Sequence, residues 1–182
     1  TVLAATDPED TATTGSRLIP DYMTFLDKSG LKGARIGVAS DYCGFHDGID
    51  TIFADCLTTI RAQGAEVVAG VTLPTREAIR PSERRAMTYE FKAGLNAYSA
   101  RRGPTASMQS LEDVIAFNTA NADTTMPYFA QDILEEAQTT GSLEAHEYRA
   151  ARAKTTRFAA TEGIDAAIPV HGLDAIAAPT AC

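Results

Sequence analysis

Leu31-Lys32-Gly33-Ala34-Arg35-Ile36-Gly37-Val38-Ala39-Ser40-Asp41 is the stretch whose reading decides the fold. Ile36 and Val38 stand two apart, Gly33 opens the run and Ser40-Asp41 closes it, so residues 34–39 read as a buried strand. After a loop over Tyr42–Gly48, the residues Ile49, Ile52, Phe53, Cys56, Leu57 and Ile60 fall on one helical face. Asp47 and Asp50 bring acceptors and negative charge to the start of that helix, and Gly64 stands just past its end. Residues 65–71 form a second strand candidate. Strand, helix and strand in this order make a βαβ unit with parallel strands. Cys56, on the apolar face, is expected in the core.

Further along, Pro74 and Pro81 bracket an expected linker, and from Ser82 the pattern becomes helical. Met87, Phe91, Leu95 and Tyr98 repeat at helical spacing up to Gly103-Pro104. Ser110-Leu111-Glu112-Asp113 has the form of a capping box ahead of Val114, Ile115 and Phe117. Pro127-Tyr128-Phe129 is expected to open another helix, with Ile133 and Leu134 inside and Gly141 as its stop. Ser142–Gly163 is a long Ala-rich, charged stretch anchored by Tyr148 and Phe158, and Pro169 must kink or end the helix that follows it. Residues 175–179 are a third strand candidate. The expected class is therefore α/β, with parallel or mixed strands at about 34–39, 65–71 and 175–179 and a helical excursion over about 82–172. One segment, 1–182, holds both parts.

The composition bounds the partners. Sixteen basic against 24 acidic residues give a net charge of -8, and no basic stripe offers a nucleic-acid surface. The apolar runs are too short to span a bilayer, so no membrane partner is expected. Three cysteines without a CxxC, and His46, His146 and His171 far apart in sequence, indicate neither a disulfide framework nor a metal site, and no cofactor is expected. No GxxxxGK[ST], GxGxxG or GxSxG is present. Ser40 and Asp41, at the carboxyl end of a parallel strand, are neighbours of a site rather than a mechanism. The chain opens on Thr1-Val2-Leu3 without Met and stops at Ala181-Cys182 just after a strand, which reads as a piece of something longer.

Several stretches, in order, resemble the amidase signature family. They are Asp7-Pro8-Glu9-Asp10, Leu31 to Val38, Gly64-Ala65-Glu66-Val67-Val68, Glu90 to Tyr98, Leu111 to Asn118, Met126 to Asp132 and His171 to Thr180. The middle stretches look most like the branch that contains bacterial peptide amidases. The resemblance implies an α/β hydrolase of carboxamides, built on a mixed sheet wrapped by helices. It also implies a serine nucleophile, a second serine on a cis peptide and a lysine, all upstream of the region matched. This chain carries none of that set: Lys28, Lys32, Lys92 and Lys154 match no catalytic position, and no catalytic residue is assigned here.

The implied partners are a small-molecule or peptide amide substrate and the remaining segments of the amidase fold, with self-association through uncovered strand edges. Other readings are a doubly wound ligand-binding domain with Asp41 at the sheet mouth, and a non-catalytic interaction module on an amidase scaffold. Tyr128, Phe129 and Thr180 are the candidate substrate-binding residues. Thr180 closes the third strand on the side where α/β sheets gather their sites. Tyr128 and Phe129 adjoin Pro127 and could wall an apolar pocket, although core packing is the alternative, above all for Phe129 with Ile133 one turn on.

Overall fold

The computed structural model describes residues 6–9, 13–14 and 21–180; Val2–Ala5, which with Thr6 read in the sequence as the last turns of a helix, lie outside the described residues. The chain forms two compact units, one from Thr1–Thr72 with Ile168–Cys182 and the other from Leu73–Ala167.

The first unit is built on three parallel strands, β1 (Arg35–Ala39), β2 (Glu66–Val71) and β3 (Ala175–Ala177), in the order β2-β1-β3. Central β1 explains its own sequence: Ile36, Val38 and Ala39 are all buried. A parallel strand covered on both faces carries continuous small and apolar residues. Gly37 sits beneath two side chains. A β-carbon there would lie 2.4 Å from Leu173 Cδ1 and 3.0 Å from Val71 Cγ2, so only glycine lets both pack over the strand. The β1–β2 register shifts between Gly37 and Ala39, where β2 carries an additional residue near Gly70 at φ +75. That is a bulge made possible by glycine. β3 stops at Ala177, two residues short of the expected end, because Pro179 has no N–H to give a ladder.

Arg35 ties the three strands at their start. Its backbone N–H donates to Asp174 Oδ2 at 2.8 Å, and its carbonyl accepts the Asp174 N–H at 2.9 Å. Its guanidinium pairs with Glu66 and donates to the carbonyls of Gly172 at 2.8 Å and His171 at 3.3 Å. Those carbonyls end a helix and would otherwise lack partners.

Helix α1 (Asp47–Ala62) follows β1, and its apolar face is only partly buried. Leu57 is buried and Ile49, Phe53 and Ile60 half-buried, whereas Ile52 and Cys56 are exposed. The expectation of Cys56 in the core is therefore wrong: it stands at the margin of the stripe, beyond the line that Leu57 buries.

The second unit is helical, with no strand among the described residues: α2 (Arg76–Arg101), α3 (Leu111–Ala120), α4 (Ala122–Thr125), α5 (Asp132–Gln138) and α6 (His146–Thr156). A π-helical segment over Arg157–Ile164 leads into α7 (Asp165–His171), which crosses the boundary between the units. The expected linker between Pro74 and Pro81 is replaced by helix, since α2 begins at Arg76 and contains Pro81. As the sixth residue of α2, Pro81 removes one bond, to the Glu77 carbonyl, and the helix continues through the bonds on either side. Pro169 likewise lies inside α7, and neither ends it.

The buried face of α2 also departs from expectation. Met87, Phe91 and Tyr98 are exposed, while Ser82, Ala86, Thr88, Tyr89 and Ser99 are buried. Small and polar side chains let α6 approach closely. There Tyr89 and Tyr148 stack with centroids 5.7 Å apart, and each hydroxyl donates to a glutamate beside the other ring: Tyr89 to Glu147 at 3.0 Å, Tyr148 to Glu90 at 2.7 Å. The bond to the Glu90 carboxylate, with burial second, pushes the Tyr148 phenol up, while Arg152 opposes it. Lys92, matched to no catalytic position, donates to the carbonyls of Gln138 and Thr140, both at 2.7 Å, and so caps the end of α5.

The π segment has a local cause. Thr75 Oγ1 donates to the Phe158 carbonyl at 2.7 Å, and a β-carbon on Gly163 would meet that same oxygen at 2.4 Å. A hydroxyl inserted into the ladder and a glycine opposite it widen the turn.

Two outcomes follow from these contacts. Gly37→Ala should cost about 1–3 kcal/mol by overpacking against Leu173 and Val71, read as a lower Tm and denaturant midpoint. The capping box forms as expected, Ser110 Oγ accepting Asp113 N–H at 3.2 Å, while Asp113 Oδ2 accepts the N–H of Gln109 at 2.8 Å. The Gln109 backbone bond first, then Ser110, holds the Asp113 carboxyl below its ordinary value. A depressed carboxyl stabilises the fold above its unfolded pKa, and that contribution is lost as pH falls through the folded value. Melting curves taken from about pH 5 down to about pH 3 should therefore show a steeper loss of Tm for the native chain than for Asp113→Asn.

Candidate functional site

All three strands run parallel, so their carboxyl ends share one edge. β1 is followed by β2 on one side and, much later, by β3 on the other, so the strand order reverses at β1. Such reversal points open a crevice beyond the carboxyl ends, the usual ligand position of α/β sheets. The residues leaving β1 there are Ser40-Asp41-Tyr42, wound into a single 3₁₀ turn, and those leaving β3 are Ala178-Pro179-Thr180. Thr180 is exposed, in a bend three residues past β3. Asp41 is half-buried.

The loop between β1 and α1 is pinned from the helix. His46 is the N-cap of α1: its Nδ1 accepts the N–H groups of Gly48 at 3.1 Å and Ile49 at 3.4 Å, which requires the neutral tautomer protonated on Nε2. The Asp50 carboxylate accepts the N–H of Gly44, at φ +87, at 3.0 and 3.1 Å. The histidine of this loop is thus a cap, a role for which Ser, Thr, Asp and Asn are the ordinary choices and which its sequence position did not reveal.

Tyr128 and Phe129 lie in the helical unit, and there the expected helix start is overturned. Pro127 to Gln131 form an open bend between α4 and α5, and α5 begins only at Asp132. Tyr128 is 91% and Phe129 83% exposed, and Ile133, at 56%, offers no buried partner. Within this chain Phe129 packs into no core. The residue that goes inside is polar: Gln131, 7% exposed. It carries no motif, and the only sequence signal is its place two residues before the apolar pair Ile133-Leu134.

Among the described residues no group of three or more His, Cys, Asp or Glu could hold a metal ion, and no helix is long and apolar enough to cross a membrane. An open depression of about 720 Å³ lies along α6 beside Tyr148, Arg149, Arg152 and Arg157. Arg149 pairs with Glu144 at 3.6 Å and Arg157 with Glu162 at 3.2 Å, so most of its positive charge is already matched.

No protein-family model matches the chain. A probable amidase of Arabidopsis thaliana is 33% identical over 178 residues, 93% of this chain and 33% of that protein. A component of the glutamyl-tRNA(Gln) amidotransferase of Lactobacillus delbrueckii is 31% identical over 116 residues, 62% of this chain and 24% of that protein. Among solved structures, a peptide amidase in complex with the competitive inhibitor chymostatin superposes with a TM-score of 0.81 at 38% identity, over 96% of this chain and 37% of that one. The class these relatives define is that of the amidases. These relatives support placing the chain in the amidase signature family, beside its peptide amidases. It spans about a third of the length of the relatives it matches.

Exposure sets one expectation for the chain itself. Truncating Tyr128 or Phe129 to Ala should move stability by no more than about 0.5 kcal/mol, as for surface positions generally. Thermal melts of the two variants against the native chain check it.

Proposed function

We propose that this chain is one part of an amidase that hydrolyses carboxamide C–N bonds. The observation that supports it is the colinear match to a peptide amidase at 38% identity across 96% of the chain. The Ser–Ser–Lys relay that the family resemblance implies comes from residues outside this chain. There a serine hydroxyl attacks the carbonyl carbon, the C–N bond breaks with protonation of the departing nitrogen, and water releases the acyl group. The two units belong to one amidase domain, with residues 82–172 as its helical lobe, and the remaining segments of that fold are the chain's principal partners. In their absence the chain associates with itself. A peptide amide is the favoured substrate, since a related peptide amidase binds a competitive inhibitor, chymostatin.

Within that enzyme, Thr180 stands at the mouth of the sheet and Tyr128 and Phe129 wall the pocket for the acyl or side-chain portion. Two outcomes test the reading. The purified chain should turn over no primary or anilide amide; turnover that vanishes on changing one of its own serines would overturn the proposal. In the intact enzyme, Tyr128→Phe should lower kcat/KM for some amides more than others with Tm nearly unchanged. Equal kinetics on every substrate would remove Tyr128 from the pocket.

A further inference from the structure

An exposed aromatic pair on an open bend would ordinarily sample many conformations. Pro127 to Ala130 have no helix or strand to hold them. What they have is Gln131. Its Nε2 donates to the carbonyl of Ile115 at 3.2 Å and to Thr119 Oγ1 at 3.0 Å, and its Oε1 accepts from Asn118 Nδ2 at 3.1 Å. Three of the four hydrogen bonds that a carboxamide can make are therefore directed at one side of α3. Its backbone carbonyl accepts the N–H of Glu135 and starts α5.

The other end of the bend is fastened to the same helix. Thr125 Oγ1 donates to the carbonyls of Asn118 at 3.2 Å and Asn121 at 3.1 Å. Asn118 thus meets both ends, giving its amide to Gln131 and its carbonyl to Thr125. The bend is a short bridge between two clamps, with its two largest apolar side chains held outward.

We infer that Gln131 is a positioning residue that fixes the Pro127–Ala130 bend so that Tyr128 and Phe129 are presented, preorganised, to the apolar side chain of a peptide amide substrate. This rests on the reading of that pair as a pocket wall. The physical reason is that ordering two aromatics on binding costs affinity, and a scaffold that orders them beforehand avoids that cost. A buried carboxamide suits the task because leaving its donors unmade is expensive, so the bonded geometry is strongly preferred.

The test has two stages. In the first, amide hydrogen exchange is followed by mass spectrometry on this chain, native and as Gln131→Leu and Gln131→Glu. Leu removes all three bonds at similar volume, while Glu keeps the acceptor and loses the donors. Protection at the two fastened ends of the bend, where Met126 N–H donates to Ala122 and Glu135 N–H to Gln131, should fall about tenfold or more in both, with α2 and α6 unchanged and cleavage by chymotrypsin after Tyr128 and Phe129 correspondingly faster. Unchanged protection there, or loss of protection throughout the unit, overturns the positioning role; Asn118→Ala, which removes one bond from the same clamp, must shift exchange in the same segment.

In the second stage, the intact amidase is assayed on peptide amides with large and small apolar side chains. Gln131→Leu should raise KM for the large ones several-fold with kcat held, and its effect should be non-additive with Tyr128→Ala. A faster-exchanging bend with KM unchanged overturns the substrate-facing part of the inference and the pocket-wall reading together, leaving the clamp as scaffold. A bend that stays protected while Tyr128→Ala alone changes selectivity keeps the pocket reading and overturns the role of Gln131.

Discussion

Arg35 is the interaction on which the sheet unit depends. One residue engages β2 through Glu66, registers β3 through both backbone bonds to Asp174, and satisfies the last carbonyls of α7. Hydrogen bonds from a cation to carbonyls are stronger than neutral ones, and a guanidinium can serve several acceptors in one plane. The sheet brings together strands separated by more than a hundred residues of sequence, so its closure needs a strong, directional anchor at one end. The glycine two positions on completes the arrangement by leaving room for Leu173 and Val71 above the strand. Order at the amino end in this way fixes what emerges at the carboxyl end, where Ser40, Asp41 and Thr180 leave the strands.

The helical unit is held together by different means. Its main contact, α2 against α6, relies on small side chains, a stacked tyrosine pair and two reciprocal hydroxyl–carboxylate bonds. Thioether and ring surface elsewhere on α2, at Met87, Phe91 and Tyr98, faces outward. Apolar surface of this kind on one helix is the sort that recruits a partner.

The βαβ unit was legible because period-two and period-3.6 patterns at 34–71 are undisturbed and each boundary has a glycine or an acidic residue. Ser110-Asp113 was legible for the same reason, a local motif with local bonds. The buried face of α2 was not, because periodicity identifies an apolar stripe but not which side neighbours occupy, and here Ser, Ala and Thr are buried. Pro81 and Pro169 misled or left open the helix limits, since proline removes one bond while tertiary contacts keep the rest. The helix expected from Pro127 failed because Gln131 makes its bonds to α3, residues 115–119, and no short-range pattern encodes that. Of the candidate site, the position of Thr180 beyond a strand end could be read; the orientation of Tyr128 and Phe129 could not.

The widened turns between α6 and α7 alter how the chain keeps angular phase. Ala151 and Ala167 are both buried, yet they stand sixteen positions apart. On an uninterrupted α-helix that is about four and a half turns, which would put them on opposite sides. The π segment takes up additional residues per turn and rotates everything after it. A single threonine hydroxyl and a hydrogen-only α-carbon at Gly163 thus set the angular phase of Ala167 against Ala151 within the helical unit, so a deletion of one residue within 157–164 would turn Ala167 out of its buried position.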